Sequence, residues 1–367
     1  MAELADIFRR HGPAYRARCG DRMPPSHLAA MAAIAQCRTE ALGGHVYQCP
    51  DCGELEYSYH SCKNRHGPKC QNAAATRWLE QQRALLLPVP YFLGTLTLPE
   101  ELRPVARSHQ HRMYNLLFQT SAAALQALTL APHYLGGQIG MVGVLHTWTR
   151  DLASHPHVHD LVPGGALSPE GVQWLSPRSA AWLVPVRARS RLFRGTCKAA
   201  LTTAGRHEAV PPQVWHKAWV THCQPAGTGT EVLSDFAPSI YRIALTNNRL
   251  ETLEDGHVTF RFKKRTGTGW KRLTLPAEAF LHRFLPHVLP RGCNKVRSYG
   301  LLRPRRRTVL PHIRTLVAAS LSTASAPGHA PLPAPGKPPP PAERRCRQCG
   351  GMLVVLRRLS PHAREPP

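Results

Sequence analysis

Acidic side chains are scarce in this sequence: 22 Asp and Glu stand against 47 Lys and Arg, a formal net charge of +25. A surplus that large speaks about partners rather than fold, and a polyanion is the natural counter-surface, nucleic acid first. Long hydrophobic runs are missing too. No stretch approaches the about 18 apolar residues that a spanning helix needs. The opening MAELADIFRRHG has no apolar core of a signal peptide. These absences predict a soluble, cytoplasmic chain with no membrane partner. Neither an internal repeat nor a regular βαβ rhythm is present, which leaves α+β as the fold class. The eleven cysteines are an odd number. In a chain without a secretion signal, that argues against a disulfide framework and for metal ligation wherever they cluster.

What is there reads as mixed elements. Leu28, Met31, Ile34 and Ala35 recur at helical spacing after Ser26, taken as an N-cap. Residues 75–88 read as a helix ending at Pro88, and Tyr91–Thr97 as a strand. The stretch from Pro104 to Leu130 reads as helical. GMVGVLHTW and SHPHVHDLVPGG read as two further strands, and THCQP is strand-like. Ser239–Leu245 fits helix or strand. HVTFRFKKRTGTGWKRLTL reads as a hairpin turning near Gly267 and Gly269, and PAEAFLHRFLPHV as a helix. From Ala318 to about Arg345 the chain is rich in Ala, Ser and Pro, the composition of a linker.

Cys49, Cys52, Cys62 and Cys70 fall within 22 residues, with His60 and His66 among them. A CxxC turn aims two thiolates at one point, and a second turn supplies the rest of a tetrahedral zinc site. The expectation is one structural zinc held by Cys49, Cys52, Cys70 and either Cys62 or His66. A second knuckle, Cys346-x-x-Cys349, has only two ligands and reads equally as a remnant half-ribbon, a site completed between chains, or a filled zinc site.

His155-Pro-His157-Val-His159 is the other informative pattern. On a strand, residues two apart share a face. His157 and His159 therefore present two imidazoles side by side, a platform for a divalent metal. His155 shares that face and is a possible third ligand, but Pro156 suggests the strand only begins there. Asp160 points the other way. Basic tracts complete the picture: Arg187, Arg189, Arg191 and Arg194; Arg261, Lys263, Lys264, Arg265, Lys271 and Arg272 on the hairpin; and Arg303, Arg305, Arg306 and Arg307. Such tracts favour phosphate contact, which brings affinity rather than sequence readout.

Nearly the whole chain resembles the rolling-circle transposases of the insertion-sequence ninety-one family. The resemblance rests on CRTEALGGHVYQCPDCG, SCKNRHGPKCQ, PVPYF-LGTLTLPEELRP, HTW…SHPHVHDLVPGGALS, RIALTNNRL, FLPHVLPRG-CNKVRSYGLL and the final CRQCGG. It implies a small zinc-ribbon-like domain followed by a single-strand endonuclease domain of HUH type (U being apolar). That domain is a central antiparallel sheet with flanking helices, the metal-binding histidines on a middle strand. The implied division is 1–85 for helices plus zinc-binding domain, 86–317 for the HUH domain, 318–345 for the linker and 346–367 for the CxxC tail. The resemblance further implies Mg²⁺ or Mn²⁺ on His157 and His159, and a helix-borne tyrosine that forms a 5′-phosphotyrosine with single-stranded DNA at the element's own ends. A nucleoid-associated protein follows. The sequence departs from the pattern where the family carries two tyrosines four apart before RIALTNNRL: this chain has Asp235-Phe-Ala-Pro238-Ser239. Tyr241 lies two residues past the second slot, about 200° round a helix. Gly67 and Asp160 each replace a family cysteine. Three readings stay open: an active transposase using Tyr241, a descendant that binds DNA without cleaving it, and a decayed reading frame with no selected function.

Overall fold

In the computed structural model, the described residues are 2–241, 245–264, 267–322 and 344–361. In chain order the helices are α1 (Leu4–Cys19), α2 (Pro25–Ala35), α3 (Asn72–Arg83), α4 (Arg103–Ser108), α5 (Gln110–Leu130), α6 (Val186–Thr203), α7 (Thr230–Tyr241), α8 (Ala277–Phe284) and α9 (Leu310–Ser322). The strands are β1 (Gly44–Gln48), β2 (Leu55–Tyr59), β3 (Tyr91–Thr97), β4 (Gly140–Trp148), β5 (Ser154–Pro163), β6 (Ala166–Leu167), β7 (Trp174–Leu175), β8 (Thr221–Pro225), β9 (Leu250–Glu254), β10 (His257–Lys263), β11 (Trp270–Pro276), β12 (Val296–Gly300) and β13 (Val354–Leu359). The fold is α+β, with antiparallel sheets. Among the described residues no helix is long and apolar enough to cross a membrane.

The chain divides into two compact units. One gathers residues 1–73, 241–288 and 333–367; the other gathers 74–240 and 289–332. The hairpin segment thus clusters with the amino-terminal residues, although the sequence placed it in 86–317. Most of the Ala/Pro-rich stretch lies outside the described residues.

In the second unit a five-stranded sheet runs in the order β12-β4-β5-β3-β8. The β-branched and alternating runs of β3, β4 and β5 account for these central strands. The face carrying Leu96, Leu145, Val158 and Val162 is covered by α5 (Leu117, Phe118, Leu125) and α6 (Phe193, Cys197, Leu201), all buried in one core. Period-two alternation sends Val158, Asp160 and Val162 into that core and His157 and His159 to the opposite face. β5 starts at Ser154, so Pro156 sits inside it. A register irregularity between His146 and Trp148 on the neighbouring strand accommodates the start of the strand.

Asp160 is fully buried against the helices. Its Oδ2 accepts hydrogen bonds from Arg189 of α6 and Ser121 of α5, both at 2.5 Å. Asp160 pairs with Gly94 on β3 and Gly143 on β4. At Gly94 a side chain would collide with the Arg189 guanidinium, so glycine is required by close approach there.

In the first unit, Phe8 of α1 packs edge-on against Phe284 of α8 at 5.5 Å, and Phe280 meets Phe260 of β10 at 5.9 Å. α2 begins with Pro25 at its first position and Pro24 as N-cap, so Ser26 is already helical and does not cap. Two three-stranded sheets complete this unit, β13-β1-β2 and β11-β10-β9.

Candidate active site and metal centres

The cysteines do not gather as their spacing suggests. Cys49 and Cys52 meet Cys346 and Cys349, their four Sγ atoms lying within 4.8 Å of one another. The two knuckles are built alike. Each CxxC is followed by a glycine, Gly53 or Gly350, at φ 77° and 80°. The amide of each glycine donates to the first cysteine's carbonyl, at 2.9 and 3.0 Å. Only glycine adopts that left-handed turn without cost. The Gln348 and Gly351 amides also reach Cys346 Sγ and Cys349 Sγ at 3.4 Å. Backbone N–H groups of Cys349 and Gln348 pull the Cys346 thiol down to about 7, toward the thiolate a metal needs. Four thiolates from two turns fit a closed tetrahedral zinc site. The carboxy-terminal knuckle is therefore the other half of the ribbon rather than a remnant, and β13 pairs with β1 beside it.

Cys62 and Cys70 belong elsewhere. Together with Cys37, which the sequence reading missed, they form a second trio with Sγ atoms within 4.8 Å. His66 joins neither group: it is buried, with Nδ1 3.0 Å from Asn64 Oδ1.

On the five-stranded sheet, His146 of β4 stands opposite His157 of β5 in register. His146, His157 and His159 have nitrogens within 4.8 Å of one another. The third member is thus His146, while His155 leaves the group and lies with Nδ1 3.3 Å from Arg103. His157 Nδ1 donates to the His155 carbonyl at 2.7 Å, which can only accept, so Nε2 keeps its lone pair. Thr95 Oγ1 holds His159 Nδ1 at 2.9 Å. Such partners fix ring orientation, as they do around metal-ligating histidines. Desolvation by burial pushes His157 down to about 3 and His159 to about 4, and lowers His146 strongly. All three are neutral at pH 7, the form that ligates.

α7 supplies the lid of this cluster. Phe236 lies 6.0 Å from the His159 ring and 6.4 Å from that of His146. Ser239 Oγ donates to the Phe236 carbonyl at 2.8 Å and sits 2.9 Å from His146 Nε2. Pro238 lies within the helix, which runs on to Tyr241. Beside Ser239 is a buried cation the sequence reading overlooked. Lys295 donates to the Ser239 carbonyl at 3.2 Å and lies 4.8 Å over the Trp148 ring.

The basic tracts divide on inspection. Arg187 and Arg191 are exposed on α6. Arg189, between them in sequence, is 2% exposed and paired with Asp160, so it faces the core and not a phosphate. Lys263, Lys264, Lys271 and Arg272 are exposed. Arg261 and Lys263 lie over the Trp270 ring at 5.0 and 5.9 Å, and Arg272 pairs with Glu251 at 2.7 Å. Arg265 falls outside the described residues.

Comparison with known proteins shows the family. Residues 140–309 match a family model described as "Putative transposase", and residues 7–98 one described as "Transposase zinc-binding domain". The chain is 38% identical over 366 residues to "Putative transposase y4qJ" of Sinorhizobium fredii, covering 94% of this chain and 89% of the relative. It is 24% identical over 294 residues to "Transposase for insertion sequence element IS801" of Pseudomonas savastanoi pv. phaseolicola, covering 73% of this chain and 68% of that protein. No solved structure matches it. The chain belongs to the IS91/IS801 family of transposases and carries that family's zinc-binding domain.

Proposed function

We propose that this chain docks on single-stranded DNA at the ends of its own insertion element through a rolling-circle transposase scaffold, and that its cleavage step is impaired. The observation that carries the second half is Ser239. It occupies the position on α7 that faces the histidine trio, 2.9 Å from His146, where the family resemblance calls for tyrosine. A serine side chain is far shorter than a phenol, and here its proton is engaged by its own helix.

His146, His157 and His159 are the residues that would hold a divalent ion, Mn²⁺ in preference to Mg²⁺ because imidazole is softer than the oxygen donors Mg²⁺ demands. Such an ion, when bound, supplies Lewis-acid polarisation of a scissile phosphate. The chain's own residues do the rest. Thr95 and the His155 carbonyl orient the imidazoles. Phe236 shields them from water, and Lys295 places positive charge beside the Ser239 backbone. Exposed Arg187, Arg191, Lys263, Lys264, Lys271 and Arg272 give salt-dependent phosphate contacts. A protein of this kind is nucleoid-associated.

Tyr241, the last residue of α7, supports the rival reading of an active enzyme. It lies about 200° round the helix from Ser239, so it serves only if the helix rewinds. The test is a covalent-adduct assay with labelled single-stranded oligonucleotides spanning the element's ends and Mn²⁺. The wild-type chain should bind and give no adduct, and Ser239→Tyr should give one. A wild-type adduct that vanishes in Tyr241→Phe would overturn the proposal and establish an active transposase.

A further inference from the structure

The trio of Cys37, Cys62 and Cys70 is not a closed zinc site. Cys37 Sγ lies 3.1 Å from Cys70 Sγ, and Cys62 Sγ 3.5 Å from it. Among the described residues no fourth His, Cys, Asp or Glu joins the group. Its open side is at Gly67. A Cβ placed there would stand 3.4 Å from both Cys62 Sγ and Cys70 Sγ, an ordinary contact distance. The backbone at Gly67 is not in the left-handed region, so no conformational need dictates glycine. Among the described residues, a side chain at position 67 would thus reach the trio's open corner, and glycine offers no ligand. His66, the neighbouring candidate, is held by Asn64 through both its amide, at 2.8 Å, and its ring, at 3.0 Å. The corner also has access. A cavity of about 380 Å³ is lined by Cys37, Gly67 and Cys70, and its charged walls are mixed, Arg9 pairing with Asp6 and Lys69 with Glu3.

We propose that Cys37, Cys62 and Cys70 form a second metal centre of open type, in which zinc takes its fourth ligand from solution at the corner left by Gly67. Water fills that corner by default. A small thiol displaces the water, loses its proton to solvent and binds as thiolate. Closed structural sites have four protein ligands, whereas an open position is what makes bound zinc exchangeable and chemically responsive. The proposal is independent of whether the histidine trio cleaves DNA.

The experiment uses the full-length chain loaded with Co²⁺ in place of zinc. Cys37→Ser should bind one Co²⁺ fewer per chain than the wild type. In Cys346→Ser/Cys349→Ser, which leaves the ribbon site only two thiolates, the thiolate-to-metal bands report the trio of Cys37, Cys62 and Cys70. Added β-mercaptoethanol should shift its bands toward a four-sulfur pattern. Gly67→Cys in the same background should show that pattern without added thiol and stop responding to it. Gly67→Cys should also slow zinc loss to a chelator about tenfold or more, the scale on which metal sites respond to their ligand shells. A spectrum indifferent to thiol in the Gly67 chain would overturn the proposal, as would a metal count unchanged in Cys37→Ser. So would a spectrum that His66→Ala alters while thiol does not, because His66 would then be the fourth ligand. Should Cys37→Ser fail to fold, the thiol response and its loss in Gly67→Cys decide the matter without it.

Discussion

Arg189 tests the division between core and surface most sharply. Replacing it with Met keeps an apolar stem of similar length and removes the guanidinium beside Gly94. Asp160, with no exposed surface, then keeps the Ser121 hydroxyl as donor and loses its cation. Removing one member of a buried ion pair costs about 3–5 kcal/mol, because the remaining charge is neither solvated nor matched. For a unit of roughly two hundred residues, Tm falls about 2–4 °C per kcal/mol, so a drop on the order of 6–20 °C is expected. The double variant Asp160→Leu/Arg189→Met removes both charges into an apolar environment and should recover most of that loss. The assay is thermal unfolding followed by tryptophan fluorescence, with Trp215 and Trp219 in the same core. DNA binding of Arg189→Met, measured well below Tm, should keep the wild-type salt slope. A loss below about 1 kcal/mol, or a double variant no better than the single, would refute the reasoning.

Other expectations follow from the same geometry. The metal-free protein should lose stability as pH falls from about 6.5 toward 4, because the unfolded histidines take up protons there while His157 and His159, lowered to about 3 and 4, do not. A denaturant midpoint that stays flat from pH 7 to 5 would contradict this. Cys346→Ser/Cys349→Ser should abolish binding of the tightest zinc and loosen the β13-β1-β2 sheet, whereas Cys62→Ser should leave that zinc in place, as metal content per chain will show. Arg187→Ala and Lys271→Ala should each lower the salt slope of DNA binding by about one, without changing sequence preference.

The features legible in the sequence were those set by neighbours in the chain. β3 and β4 were read to the residue, because alternating apolar residues and flanking Pro or Gly mark a strand locally. His157 and His159 followed from the same period. His146 did not, since what joins it to them is cross-strand register, although its place near the end of the preceding strand was a clue. Long separation also hid the zinc ribbon. Cys52 and Cys346 are 294 residues apart, and the signal that links them is the repeated CxxCG turn rather than proximity. Cys37 had no motif of its own. Arg189 was hidden by its neighbours in a charge run, yet Arg189, Phe193, Cys197 and Leu201 recur every four residues as one buried stripe of α6. Reading that stripe before the charges would have placed Arg189 in the core.

Gly67 and Ser239 have a physical feature in common. Each stands at the one missing corner of a constellation whose other members remain in place: three thiolates in the first unit, three histidines with their oriented partners in the second. A chain losing its structure generally would not hold the survivors within ligand distance, nor match a fully buried Asp160 with Arg189, Ser121 and the space left at Gly94. The scaffold is therefore intact around both positions. That makes restoration a one-residue question in each unit. Ser239→Tyr should leave zinc content and the Asp160-dependent stability unchanged while conferring a covalent DNA adduct. Its phenol replaces a hydroxyl engaged with Phe236 and His146, so His146 is freed of that bond. If Ser239→Tyr folds, binds DNA and Mn²⁺, and still forms no adduct, then the helix face opposite the histidines is not where the attacking group belongs, and Tyr241 regains its claim.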